Sequence, residues 1–239
     1  AWDVTGSGRT LVRAGAGVYY NVLVAQTFNT FLRGNGIDVV NVNVTPNQPG
    51  APAFTLTAVP QVSGAAVISD VRYLADDFED VRVDSWFTTL ERELPGGLSA
   101  AVTYQGNRAS HLPLALNENL RQVGTLPDGR RQWSATNRPD ARYGNIFRST
   151  SIGEQRYDGL VAVVTKRFSK GHSYQLSYHG SRANGTAFVN DFTGFGIFTS
   201  PSDPLDPSVD EGPSDFDMQH RFSATAVFEP RLPVDGLAG

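Results

Sequence analysis

Apolar and polar residues alternate along this chain in separate segments of about ten residues, the length at which a tilted strand crosses a hydrocarbon layer. From Thr10 to Tyr20 one face reads Val12, Ala14, Ala16, Val18 and Tyr20, and the other Arg13, Gly15, Gly17 and Tyr19. The same period of two returns over Leu98–Arg108, His172–Ser181 and Gln219–Phe228, and in blurred form over Val83–Arg92 and Tyr157–Phe168. These segments predict strands with one face for lipid and one for a wet or filled lumen. Ala1–Val4 reads as the end of a further strand.

The connections alternate in length. Thr5-Gly6-Ser7-Gly8, Pro95-Gly96-Gly97 and Ser169-Lys170-Gly171 are tight turns, whereas 21–80, 109–155 and 182–217 are long links. Short turns on one rim and long loops on the other are the habit of outer-membrane barrels, with the long set extracellular. Within the first link Val40, Val42 and Val44 alternate with Asn41 and Asn43 as a loop strand, and 47–60 is Pro-rich and irregular. The expected fold class is all-β: an antiparallel transmembrane β-barrel segment. Both ends, Gly239 in a turn-like stretch included, read as cuts, so 1–239 is expected to be one partial barrel domain.

Composition narrows this reading. The 24 Gly and 14 Pro, beside one Met, favour strands and turns over helices. A net charge of −4 with scattered Arg residues offers no basic field for nucleic acid. Without Cys there are no disulfides and no thiolate metal sites. No apolar run approaches the roughly 20 residues of a membrane-spanning helix.

Motifs for chemistry are sparse. Gly15-Ala16-Gly17 lies inside an alternating strand with no helix or Lys-Ser/Thr after it, so small inward residues explain it better than a nucleotide loop. His111, His172, His179 and His220 are too dispersed for zinc. Asp203, Asp206, Asp210, Glu211, Asp215 and Asp217 place six carboxylates in one stretch with no basic residue. Asp203, Asp206, Asp210 and Glu211 are therefore a weak candidate Ca²⁺ loop, but the spacing is not that of an EF-hand and a solvated surface loop is the favoured reading. Asp215, Asp217, His220 and Arg221 are expected to form an ion-pair cluster at a strand entry. No Ser stands in a Gly-x-Ser-x-Gly turn, so no enzyme and no cofactor are expected.

Four phrases carry a resemblance: GSGRTLVRAGAGVYY, WFTTLERELPGGLSAAVTYQGNRASHL, YDGLVAVVTKRFSKGHSYQLSYHGSRA and GPSDFDMQHRFSATAVFEP. In this order they resemble the barrel domain of Oar-like TonB-dependent receptors, which often carry a carboxypeptidase-regulatory-like domain upstream. The resemblance implies a barrel of about 22 strands around a plug, in the outer membrane of a Gram-negative bacterium. It also implies import of an extracellular ligand energised by a TonB-type complex. Expected partners are outer-membrane lipid, an extracellular ligand, and a plug and energising complex reached through an N-terminal part; neither plug nor TonB box is visible in this chain. Two other expectations stand beside it: an adhesion or export barrel without energised import, and a soluble β-sandwich binding module. Tyr20, Trp86, Tyr104 and Tyr178, placed like a membrane-interface girdle, argue against the last.

Overall fold

The computed structural model describes residues 1–21, 25–36, 69–134, 136–186, 200–214 and 217–229. The loop strand expected at Val40–Val44, the irregular stretch at 47–60, Asp215 and Gly239 lie outside these residues. In chain order the elements are β1 (Trp2–Asp3), β2 (Thr10–Asn21), α1 (Ala25–Gly34), β3 (Ser69–Leu74), β4 (Val81–Leu94) and β5 (Leu98–Asn117). They continue with β6 (Gln122–Thr125), β7 (Arg131–Trp133), β8 (Tyr143–Ser169), β9 (His172–Gly185), β10 (Gly212–Pro213) and β11 (His220–Phe228).

The long strands form one antiparallel meander in the order β1-β2-β4-β5-β8-β9-β11. The strand segments expected within the described residues are all present. The turn between β1 and β2 is held by Asp3, whose carboxylate accepts the backbone N–H groups of Thr5, Gly6 and Gly8. The Gly8 bond is the largest cause that keeps this carboxyl below the usual range.

Register assigns every residue of the meander to a face, because directly opposed residues share one. One face carries Val12, Leu90, Val102, Ala162, Tyr178 and Phe222 in a single cross-strand row, with Ala100, Val164, Leu176 and Ala224 in the row on its turn side. The opposite face is polar. There Arg13 pairs with Glu91 at 3.1 Å and Thr89 bonds Thr103 at 2.9 Å. Gln105 donates to the Tyr157 hydroxyl, which meets His179 Nε2, and Arg221 meets His179 Nδ1. With Arg221 as donor to Nδ1, His179 keeps its proton on Nε2 and donates it to Tyr157.

The apolar face gives its own depth scale. Above its apolar rows, toward the loop end, its first charged or histidine residues are Asp84 on β4, Arg108 on β5, Asp158 on β8, Arg182 on β9 and His220 on β11. Asp84 and Arg108 are in one row, Asp158 and Arg182 in the next row down, and His220 one row lower again. A fall of two rows is about 14 Å along the strands, over four strand spacings of about 4.8 Å. A flat membrane surface cutting the rows along that line requires a strand tilt of about 35°, within the range of barrel strands.

Below the belt, Arg92 on β4 and Lys166 on β8 step down by one row over two strands, the same slope. Asp84 to Arg92, and Asp158 to Lys166, each span eight residues. At that tilt this is about 22 Å of depth, against an apolar band of about 25 Å in outer-membrane barrels. The apolar face is therefore the lipid face.

Glycines on both faces sit under aromatic rings from the neighbouring strand. A Cβ on Gly15 would lie 2.6 Å from its register partner Phe87, and one on Gly106 2.5 Å from its partner Trp86. The small inward residue at Gly15 thus makes room for the Phe87 ring rather than for a separate plug segment alone.

Two strands run further than the alternation predicts. β5 continues to Asn117 and β8 begins at Tyr143, so the expected loop 109–155 shrinks to 118–142. The period of two fails there because both faces become covered. β3 pairs in parallel with the start of β8, and 75–80 crosses from it toward β4, with Ala75 N–H bonded to the Ser149 carbonyl and Glu79 to Ser151 and His111. Leu114 is wholly buried here, with Leu112, Ala115 and Leu116 close to it in exposure, and Val81 and Ala109 pack against Leu112 and Leu114. Pro113 and a left-handed His111 sit at the bulges that interrupt β5 against β8.

Facing is testable in the full-length barrel. Leu176 lies on the lipid face and Ser177 on the lumen face, so Leu176→Arg is expected to cost about 2–4 kcal/mol of folding stability more than Ser177→Arg. Equal or inverted losses in a folding titration would place the register one residue out.

Candidate functional site at the loop end of the sheet

The loop end of the sheet is the part built like a folded domain. β3 is locked to the meander by Asp70, which accepts the Asn145 backbone N–H at 2.6 Å and its side-chain amide at 3.2 Å. Tyr73 donates to Glu118, and Arg148 donates to the other oxygen of Glu118 at 2.6 Å. Burial first, and then the adjacent Glu118 carboxylate, push the Tyr73 hydroxyl up to about 12.

Loop 118–142 is tied to the start of β8 by the buried Asn119 and by Arg138, which donates to the Gly144 carbonyl and to Asn145 Oδ1. Asn119 donates to the carbonyls of Asp140, Tyr143 and Gly144 and accepts the Asp140 N–H at 2.8 Å. The loop carries the β6–β7 hairpin, turned by Pro127-Asp128-Gly129 with Gly129 at φ 87°. Arg130 holds the Asp128 carboxyl, and Arg142 the Asp140 carboxyl, below the usual range.

The hairpin meets the acidic stretch. Arg131 Nη1 lies 2.6 Å from Asp203 Oδ2, and Asp203 is 6% exposed. Between them opens a polar groove of about 470 Å³, lined in part by Gln122, Asp128, Arg130, Arg131, Asp206 and Val209. The groove mixes cationic and anionic edges within one concavity, which suits a polar or zwitterionic ligand.

The candidate Ca²⁺ residues have other partners. Asp203 is paired with Arg131, Asp206 accepts from Ser208 at 2.5 Å, and Asp210 accepts both the backbone N–H and the hydroxyl of Ser202. Glu211 is exposed where the 3₁₀ turn 207–210 ends. Among the described residues no three carboxylates or histidines gather as a metal site. The stretch without a basic residue in sequence receives its cation from residue 131, which no local pattern announced; only the Pro-Asp-Gly turn could have revealed the hairpin that delivers it.

The expected ion-pair cluster at the entry to β11 is not found among the described residues. His220 and Arg221 point to opposite faces, as neighbours on a strand must. Asp217 accepts the Ala183 N–H at 2.9 Å, His220 Nδ1 meets the Tyr178 hydroxyl at 2.7 Å, and Arg221 meets His179. Each anchors the entry to β9 by hydrogen bonding across the register. The histidines are likewise dispersed: His172 beside the turn below, His111 at the bulge above.

The outer membrane beta barrel domain family model matches residues 1–234. The chain belongs to that family. As an outer-membrane barrel domain it lies in the outer membrane of a Gram-negative bacterium, which excludes the soluble β-sandwich. Its fold matches the crystal structure of the outer membrane transporter YddB from Escherichia coli with a TM-score of 0.58 at 13% identity, over 94% of this chain and 25% of that one. The barrel domain thus spans about a quarter of that transporter's length. No curated protein matches it in sequence.

Tyr73 makes the docking of β3 dependent on pH. Its hydroxyl is raised from an ordinary value of 10.0, so its contribution is complete below about pH 10 and is lost as pH rises through about 12. In an alkaline titration read by phenolate absorbance, the difference between wild type and Tyr73→Phe is expected to be one tyrosine titrating near pH 12. A difference centred near pH 10 would remove Glu118 as its partner.

Proposed function

We propose that this barrel domain supplies wall strands and ligand-contacting loops to a TonB-dependent outer-membrane receptor-transporter of the Oar-like kind. The observation that supports it best is the division between the two ends of the sheet. The turn end closes in tight Gly-rich turns, whereas the loop end carries β3, the β6–β7 hairpin and the acidic stretch held by Arg131 and Asp203. A rigid wall below ordered loops is how scaffolds usually present binding residues. The lumen face adds a hydrogen-bonded surface from Gln105 to Arg221 against which a plug can seat. No catalytic role is assigned to any of these residues; they bind and position.

The decisive experiment separates energised import from adhesion or export. Full-length protein purified in detergent should be retained on an immobilised periplasmic domain of TonB from the same bacterium, and more strongly when its extracellular ligand is present. No retention under either condition would favour a barrel without energised import.

A further inference from the structure

At the height where the hydrocarbon ends, the lipid face carries a guanidinium that makes no ion pair among the described residues. Along that boundary each outward carboxylate is matched: Asp84 by Arg82 at 2.8 Å, Asp158 by Arg108 at 3.0 Å and by the Tyr104 hydroxyl at 2.6 Å, and Glu154 by Arg156 at 3.7 Å. Among the described residues Arg182 makes no ion pair, although Asp158 stands directly opposite it in the register. It lines a groove of about 520 Å³ with Tyr104, Asp158, Leu160, Gly180 and His220.

The groove has a built shape. It follows one register row, Tyr104–Leu160–Gly180–His220, with the Tyr178 ring over Gly180, its hydroxyl 3.2 Å from where a Cβ there would lie. His220 is held by its Nδ1 to Tyr178 and stacks on that ring at 6.1 Å between centroids, so its Nε2 remains for a ligand. Asp158 is ion-paired with Arg108 and accepts the Tyr104 hydroxyl, which leaves the Arg182 donors for a ligand. Directly below, the row of Ala162, Tyr178 and Phe222 and the row of Val164, Leu176 and Ala224 provide continuous apolar surface.

We propose that this groove binds the phosphate of an outer-leaflet glycolipid, with Arg182 as its principal contact, His220 Nε2 as a second donor, and the acyl chains lying on the apolar rows below. A guanidinium fork matches phosphate geometry and forms charge-assisted bonds with it. The lipid is favoured over free phosphate because the groove opens toward the bilayer, where acyl chains add burial on the same surface and a bare anion gains none. The inference rests on the membrane placement of the strands and is independent of TonB coupling.

Native mass spectrometry of the full-length protein tests it with three probes: bisphosphorylated lipid A, the same lipid dephosphorylated, and inorganic phosphate. Wild type is expected to retain the phosphorylated lipid in preference to the dephosphorylated one. Arg182→Gln, with folding checked by heat-modifiable gel migration, should lose about tenfold in apparent affinity for the phosphorylated form only. Millimolar phosphate should not displace the lipid. Equal retention by wild type and Arg182→Gln, or no preference for the phosphorylated lipid in wild type, would overturn the site. Displacement by phosphate would overturn the lipid as its ligand. Should Arg182→Gln not fold, the wild-type contrast between the two lipids decides.

Discussion

Backbone N–H and C=O groups at hydrocarbon depth have no water to bond, so each must be satisfied by a neighbouring strand. The rest of this structure follows from that constraint. Across the apolar belt β2, β4, β5, β8, β9 and β11 pair without a register break. The irregularities among these pairs fall outside it: above, between Ala109 and Leu114 against β8, and below, between Lys166 and Ser169 against β9. An unbroken register keeps the facing constant. Constant facing is what lets six strands share one lipid surface and one lumen surface.

A single-layer sheet has no core of its own within the belt, where lipid and lumen contents take the place of a second layer. Large apolar side chains such as Leu90, Val102, Leu176 and Phe222 are accordingly exposed. Among the described residues a hydrophobic core forms above the belt, where Leu112 and Leu114 are buried with Val81 and Ala109 against them. The loops are therefore not appendages on a rigid wall. They hold the buried packing of the described residues, and the ion pair between Arg131 and Asp203 extends that order to the acidic stretch.

This division also explains what was legible in the sequence. Within the belt, polarity alternates because lipid and lumen impose opposite demands on successive residues, and the strands from Thr10, Leu98, His172 and Gln219 could be read directly. Above the belt both faces of β5 and β8 are covered or wet, the period of two disappears, and Leu112, Leu114, Ala115 and Leu116 looked like loop. β3 and its parallel pairing with β8 depend on contacts separated by more than 70 residues, such as Asp70 with Asn145. The acidic residues were found, but their partner was not, because Arg131 arrives from another loop. Tyr20, Trp86, Tyr104 and Tyr178 do share the lipid face, but Tyr178 stands in the row of Leu90 and Val102, inside the belt rather than in the interface girdle expected of it.

The central claim is that the lipid face, and the depth at which it ends, follow from the register and the diagonal line of outward charges. A nitroxide scan of residues 154–168 on β8 in the reconstituted full-length protein tests this most directly, with oxygen marking hydrocarbon and a water-soluble nickel chelate marking aqueous exposure. Oxygen accessibility is expected to peak at Leu160, Ala162 and Val164 and to give way to the nickel reagent at Asp158 and Lys166. Peaks at Gly159, Val161 and Val163 instead, or oxygen accessibility that continues undiminished through Asp158 and Arg156, would contradict the account.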